Sequence, residues 1–375
     1  MYDDNIYFMA LGGAQSVGAS CYYLRLGGSN LLLDCGVARR NDITVLPKLH
    51  YLLASPFMDS LSQLDKVYIS HAHGDHVGYL PELMQQAPQA AVYLTAATKF
   101  LAEHSLAMQS KKRRLRQNLQ MQSFCREVSY LQTLREENYN VTFYPAGHLP
   151  GAMMTLFEYR GKRILYTGDY SFHSCFVQNQ AWLPVDLDVD ILIICALHAN
   201  RPSEKQPRTL ADMLEKAYEY LSRGYSVWFR TADAGRTMEL LLAVNNWQRQ
   251  NGLQFPVFLK GAAMEAALIA EKLRLPILSG CHYNCLAKDA AKPHIAVSGK
   301  EAPEGEGYKI FGGNYTLHES YAEMKEFIKI LNPRLALLVH CPSGPNFGGI
   351  ARDFAAEGAC RTQFIFPQEG QIFML

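Results

Sequence analysis

No stretch of this 375-residue chain stays apolar for the roughly 20 residues needed to cross a bilayer, so no membrane association is expected. A secretory leader is lacking too. Met1-Tyr2-Asp3-Asp4 opens with acids where a leader carries basic residues ahead of an apolar run, which favours the cytoplasm. The nine cysteines are odd in number and sparse for a chain this long, so they are expected as reduced thiols, several of them buried, rather than as a disulfide framework. The net charge of +1 at pH 7 singles out no class of partner. Internal repeats and low-complexity tracts are missing as well. A hydrophobic fraction of 49% and a charged fraction of 19% fit a globular protein with one large domain or two ordinary ones.

Two local features carry a bland reading beside a sharper one. Cys281 and Cys285, with His282 between them, could form half of a metal knuckle, but no second pair stands at matching spacing, so buried thiols are favoured. Lys111-Lys112-Arg113-Arg114-Leu115-Arg116 is a basic run in a predicted helix. Residues this close point around the axis, which favours a solvated face over a nucleic-acid patch.

Along the chain, short apolar runs end repeatedly in Asp or His. Leu31-Leu32-Leu33 leads to Asp34, and Val67-Tyr68-Ile69 to His71. Val141 to Tyr144 leads to His148, Ile164-Leu165-Tyr166 to Asp169, and Leu335 to Val339 leads to His340. Runs of this length read as buried strands. Ligand groups of layered α/β proteins gather where strand ends open into loops, so five such ends imply one shared site. Helical periodicity covers residues from about 97 to 137, through Leu119 to Leu134. Further helices are expected over Leu210 to Arg223, with Gly224 as its C-cap, Met238 to Gln250, and Met264 to Leu273. The strands Val227-Trp228-Phe229 and Val257-Phe258-Leu259 alternate with them, which predicts a small α/β unit inserted near residues 199–316. From Pro276 to Gly313 the pattern weakens and loops are expected to dominate.

The decisive segment is His71-Ala72-His73-Gly74-Asp75-His76. Three imidazoles and a carboxylate this close, after a strand and around a glycine, cannot share one helix face; they suit a tight loop wrapped around metal. Imidazole nitrogen and carboxylate oxygen are preferred zinc ligands, and four such groups exceed what one open tetrahedral ion takes. His148 and Asp169 would add donors from neighbouring strand ends.

This segment resembles the HxHxDH signature of the metallo-β-lactamase superfamily. Asp34 in Leu-Leu-Leu-Asp-Cys-Gly, His148 in Ala-Gly-His-Leu-Pro-Gly-Ala and Asp169 in Tyr-Thr-Gly-Asp-Tyr-Ser match its other motifs in order. The opening Gly12-Gly13-Ala14-Gln15-Ser16-Val17-Gly18-Ala19-Ser20-Cys21 is similar to that of the β-CASP branch, which includes RNase J and the endonuclease of the cleavage and polyadenylation specificity factor. The run from Arg230 to Glu239 resembles that branch's Pro-x-Phe-Ala-x-Gly-Arg-x-x-Glu segment, Thr316-Leu317-His318 its motif B, and Leu338-Val339-His340 its motif C. The resemblance implies an αββα metallo-β-lactamase sandwich, residues 1–198 completed by 317–375, with the inserted β-CASP-like α/β domain spanning 199–316.

Carried over residue by residue, the resemblance assigns His71, His73 and His148 to a first metal and Asp75, His76 and His340 to a second. Asp169 would bridge them, and Asp34 would orient the loop from behind the ligands. Asp75 would be catalytic through its metal, and His318 would be the general acid. The implied cofactors are two zinc ions, with manganese as the alternative, roughly 3.5–4 Å apart and sharing a hydroxide. Two divalent ions, two carboxylates and one hydroxide leave a net positive charge, which suits an anionic phosphodiester. Arg201, Arg208, Arg230 and Arg236 in the inserted unit would contact backbone phosphates, although Arg236 could instead pair with Glu239 one turn on.

One motif departs from the pattern. In Asp190-Ile-Leu-Ile-Ile-Cys195-Ala-Leu-His198-Ala-Asn-Arg201, cysteine stands where motif A carries a carboxylate that pairs with the motif B histidine. The inserted unit is also short, and Lys260-Gly-Ala-Ala-Met stands where the family reads something like Asp-Ser-Pro-x-Ala. The sequence thus reads as a zinc-dependent hydrolase of RNA or single-stranded nucleic acid, cutting internally or from the 5′ end, as a homodimer or with a partner protein. The alternatives are a weakly catalytic member that binds nucleic acid or a partner, and a hydrolase of a small phosphodiester or thioester.

Overall fold

The computed structural model describes residues 4–41, 43–113, 124–173, 180–200, 210–231, 234–275, 281–283, 293–299, 307–312, 317–342, 348–358 and 361–375. Two compact units emerge. One comprises Met1–His173, Asn179–Gln206 and His318–Leu375, the other Ser174–Gln178 and Pro207–Leu317.

The first unit is built on two seven-stranded sheets. In one, the strands lie in the order Ile372–Met374, Ile6–Gly12, Cys21–Leu26, Ser29–Leu33, Lys66–Tyr68, Ala91–Thr95 and Cys125–Val128. In the other the order is Gln363–Ile365, Leu335–Val339, Ile191–Cys195, Lys162–Tyr166, Met153–Tyr159, Asn140–Pro145 and Thr133–Arg135. Each sheet is mixed. Antiparallel hairpins such as Cys21–Leu26 with Ser29–Leu33 give way to parallel pairs such as Ser29–Leu33 with Lys66–Tyr68.

The apolar runs are continuous rather than alternating because both faces of their strands are covered. Phe8, Tyr22, Tyr68, Phe143, Phe157, Ile193 and Leu337 fill the layer between the sheets. On the far side of the second sheet, Leu165, Ile194 and Leu338 meet Phe327 and Ile328 of the helix Tyr321–Leu331 and Phe354 of the helix Gly349–Glu357. The helix Ala96–Arg113 lies against the strands Ala91–Thr95 and Cys125–Val128 of the first sheet. The result is an αββα sandwich.

The second unit carries a five-stranded parallel sheet in the order Cys281–Tyr283, Val257–Leu259, Ile295–Ser298, Val227–Arg230 and Lys309–Gly312. The helices Leu210–Leu221, Ala234–Asn251 and Ala262–Lys272 connect or precede its strands, and Gly224, with φ +82°, follows the first of them. Among the described residues no helix is long and apolar enough to cross a membrane.

One sequence expectation is corrected here. The helix expected to run to about residue 137 is described only to Arg113, and Cys125–Val128 and Thr133–Arg135 are strands. Each is an edge strand that gains its backbone partners from another run, Cys125–Val128 from the distant Ala91–Thr95 and Thr133–Arg135 from the neighbouring Asn140–Pro145, so helix-forming composition is overridden by pairing. Within 276–313 the described residues include three short strands of the parallel sheet, Cys281–Tyr283, Ile295–Ser298 and Lys309–Gly312, which the sequence pattern did not single out. These strands have three or four residues each and no hairpin turn to announce them.

Phe157 is fully buried between the sheets, with its ring 5.1 Å from that of Tyr68 and 5.9 Å from that of Tyr139. Truncation to Phe157→Ala leaves a cavity that two sheets cannot close. The expected loss is about 3–5 kcal/mol of stability in urea denaturation; a loss under about 1 kcal/mol would show that the layer can collapse around it.

Candidate metal centre

Six strands of the sandwich end at one place. Asp34 follows Ser29–Leu33, His71 follows Lys66–Tyr68, and His148 follows Asn140–Pro145. Asp169 follows Lys162–Tyr166, Cys195 ends Ile191–Cys195, and His340 follows Leu335–Val339. His73 caps the one-turn helix Gly74–Val77, which carries Asp75 and His76. Two non-glycine residues of this set, Asp34 (φ +60°) and His340 (φ +52°), adopt left-handed backbone conformations. Such strain persists where the surroundings over-determine it, as at ligand clamps. For His340 the backbone N–H is held at 2.6 Å by the carbonyl of Gly13.

The side chains converge closely. Asp169 Oδ2 lies 3.4 Å from His76 Nε2 and 3.7 Å from the Nε2 atoms of His71, His148 and His318. His73 Nδ1 is 3.1 Å from His71 Nε2 and 3.0 Å from His148 Nε2. Asp75 Oδ2 lies 4.0 Å from His76 Nε2 and 3.9 Å from His340 Nε2. The donor atoms of His71, His73, His148 and Asp169 all fall within 4.8 Å of one another, as do those of Asp75, His76 and His340. Asp169 Oδ1 is buried without a hydrogen-bond partner.

The ligand-facing atoms are set from behind. Asp34 is fully buried and accepts from Ser70 N–H at 2.6 Å, Ser70 Oγ at 2.7 Å, His76 Nδ1 at 2.7 Å and the hydroxyl of Tyr166. Because Ser70 Oγ donates to Asp34, it is left to accept from His71 Nδ1 at 3.0 Å. These partners suit a proton on Nδ1 of both imidazoles, which leaves each Nε2 to offer a lone pair to a cation in the cluster. Ser20 Oγ stands 3.0 Å from His340 Nδ1 in the same way. The backbone of Gly36 passes so close that a Cβ there would sit 1.8 Å from the carbonyl oxygen of Asp75, which is why only glycine fits.

Electrostatics follow from burial and crowding. Burial, with His76 as neighbour, pushes the His71 imidazole well below its ordinary range. Burial also opposes charge on His76, but Asp169, Asp34 and Asp75 outweigh it and raise that imidazole. Burial works against the Asp169 carboxylate too, yet His340, His76 and His318 hold it well below the usual range. His318 is depressed by burial and by the neighbouring imidazoles, with only Asp169 pulling it up. Imidazole nitrogens this close, around a buried carboxylate with an orphan oxygen, form a donor set that fits divalent cations.

The structure thus brings His71, His73, Asp75, His76, His148, Asp169 and His340 into one cluster, with Asp34 behind it and His318 at its edge. Cys195 Sγ lies 3.9 Å from His318 Nδ1, and burial raises its thiol well above the ordinary value, so it is a neutral neighbour. Arg201, Arg208 and Cys285 lie outside the described residues, as do the side chains of Cys281 and His282. Arg230 is exposed at the end of its strand in the second unit, and Arg236 is half-buried in the first turn of the helix Ala234–Asn251. Sequence reading missed Ser20, Ser70, Tyr166 and the role of Gly36. It quoted His198 only as part of a motif, although its ring lies 6.2 Å from that of His318. A hydroxyl preceding His71 and a histidine three residues beyond Cys195 were the available signals.

Residues 16–195 match the family model described as the metallo-beta-lactamase superfamily. The chain is 30% identical over 277 residues to "Endoribonuclease ysh-1" of Neurospora crassa, covering 68% of this chain and 31% of that protein. It is 30% identical over 266 residues to "Probable RNase MJ4" of Methanocaldococcus jannaschii, covering 68% of this chain and 59% of the relative. "Integrator complex subunit 11" of Danio rerio is 28% identical over 271 residues, with 68% and 45% covered. The chain therefore spans about a third to three-fifths of the length of these relatives. A solved structure from Enterococcus faecalis, titled a protein of unknown function, superposes over 99% of this chain with a TM-score of 0.66 and 13% identity.

Asp34→Asn tests the support of the cluster. It keeps the volume but places an amide where His76 Nδ1–H needs an acceptor. The expected result is a folded protein with about 10–100-fold weaker zinc affinity in a chelator competition. Unchanged affinity would mean that Asp34 does not orient the ligands.

Proposed function

The chain belongs to the metallo-β-lactamase superfamily, in its β-CASP branch, and we propose that it is a metal-dependent endoribonuclease that binds two zinc ions, with manganese as the alternative. The observation that carries the reading is the convergence of four imidazole Nε2 atoms on the single oxygen Asp169 Oδ2, beside a second donor set from Asp75, His76 and His340. His71, His73 and His148 would hold one ion and Asp75, His76 and His340 the other, with Asp169 between them. Ions so held would supply an activated water at neutral pH and positive charge for a phosphate. Relatives named for ribonuclease activity support RNA as the substrate, and the Integrator subunit among them supports assembly with partner proteins.

The residues of the chain then divide the work. Asp34, through Ser70 and His76, keeps two imidazoles in the tautomer that binds metal. His318 stands 3.7 Å from Asp169 Oδ2 and at the edge of the cluster, suited to deliver a proton to the leaving oxygen. Its helper is weak: where motif A would offer a carboxylate, Cys195 offers a neutral thiol. A second reading, a metal-bound protein that holds RNA without cutting it efficiently, is motivated by that same cysteine.

End-labelled RNA separates the two readings. Zinc- or manganese-loaded protein should shorten RNA labelled at either end. His318→Ala should keep its full metal content and lose about 10²–10⁴-fold in rate. Metal-loaded protein that leaves RNA of every end type intact would overturn the nuclease reading and leave the binding one.

The thiol supplies a further prediction with a sign. A general acid acts while protonated, so rate falls as pH rises through its pKa. Burial holds the His318 value low, and a carboxylate at position 195 would favour the imidazolium and raise it. Cys195→Glu should therefore move the alkaline limb of the pH–rate profile upward and speed cleavage near neutrality. A limb that stays in place would remove His318 from the role of acid.

A further inference from the structure

A second, separate set of donors lies in the first unit. A ring nitrogen of His173 and one carboxylate oxygen each from Glu319 and Glu323 lie within 4.8 Å of one another. His173 closes the segment that leaves the strand end at Asp169. Glu319 follows His318 directly, and Glu323 lies in the first turn of the helix Tyr321–Leu331. Glu323 Oε2 accepts the backbone N–H of Ser320 at 2.7 Å, while Ser320 Oγ accepts from Glu323 N–H, an ordinary capping box. That box needs neither His173 nor Glu319.

Yet both side chains are drawn to it. His173 Nε2 sits 2.6 Å from Glu323 Oε1. Glu319 is only 6% exposed; its Oε1 accepts the N–H of Phe172 at 2.5 Å, and its Oε2 is buried with no hydrogen-bond partner. Burial, reinforced by Glu323, pushes the Glu319 carboxyl up to about 8, against the pull of the Phe172 N–H and the Ser171 hydroxyl. An orphan carboxylate oxygen in such a place costs free energy until something positive meets it. A shared proton would join the two carboxylates but has no need of an imidazole aimed at the same point. The exposed rim, where His173 keeps 71% of its side-chain surface and Glu323 38%, gives a hydrated ion a way in.

We propose that His173, Glu319 and Glu323 form an additional divalent transition-metal site, distinct from the cluster around Asp169. One imidazole and two carboxylates, completed by water, suit zinc or manganese, and the imidazole favours them over magnesium or calcium. The site ties the segment running from Asp169 to the helix start that follows His318. Its ion is structural: it fixes the spacing between a ligand of the main cluster and the candidate acid. This holds whether or not RNA proves to be the substrate.

The test counts ions. Chelator-stripped protein is titrated with Mn²⁺, with free ion read by electron paramagnetic resonance, and crystals grown with Mn²⁺ are mapped at its absorption edge. Wild type should bind one equivalent more than Glu319→Gln and one more than His173→Ala, and its anomalous map should show a peak between the three side chains. His173→Ala changes an exposed residue and keeps the fold, so the comparison stands even where Glu319→Gln destabilises. Equal stoichiometry in wild type and both variants, or a map with peaks only around Asp169, would overturn the proposal and leave a shared proton between the two glutamates.

Discussion

A carboxylate buried among imidazoles is the constraint on which this structure depends. Asp169 is 2% exposed, and one of its oxygens faces four imidazole nitrogens while the other has no partner. Burying such a group is costly unless it is paired, and the imidazoles cannot all carry charge at once, because they depress one another. Divalent cations resolve both problems together. The remaining architecture delivers the donors. Two sheets of seven strands, locked by an aromatic layer that includes Tyr22 against Tyr166 and Tyr68 against Phe157, bring six strand ends to one edge. Asp34 and His340 accept strained backbone to reach it.

Much of this was legible because it is written locally. His71, His73, Asp75 and His76 crowd six residues, and no surface loop needs that density. The strands before Asp34, His71, His148, Asp169 and His340 announce themselves as apolar runs bounded by polar chemistry, so buried strands sharing one site can be read from them, while the αββα sandwich followed from the family resemblance. What stayed hidden depends on pairing and packing. Cys125–Val128 and Thr133–Arg135 have helix-compatible composition and become strands only through partners 30 or more and a few residues away respectively, as edges of their sheets. The strands within 276–313 are too short to show a period and are held by parallel neighbours. Ser20 and Tyr166 carry no signature, and Ser70 only its place before His71, since a hydroxyl behind a ligand looks like any other hydroxyl until the fold places it.

On the proposed reading, Cys195 stands where a motif A carboxylate would face His318. A buried thiol with a raised pKa is neutral, so it neither attracts a proton to His318 nor repels the charge of Asp169. Asp169 is left as the carboxylate facing His318, and it is already shared among the imidazoles of the cluster. The acid nearest in sequence, Glu319, is no substitute. It accepts from Phe172 and sits with His173 and Glu323 on the other side of the turn. On the proposed reading, the donors around Asp169 are complete while His318 lacks a carboxylate at position 195. If the proposed function holds, affinity for the ions and the speed of bond cleavage should be separable, because they would rest on different side chains.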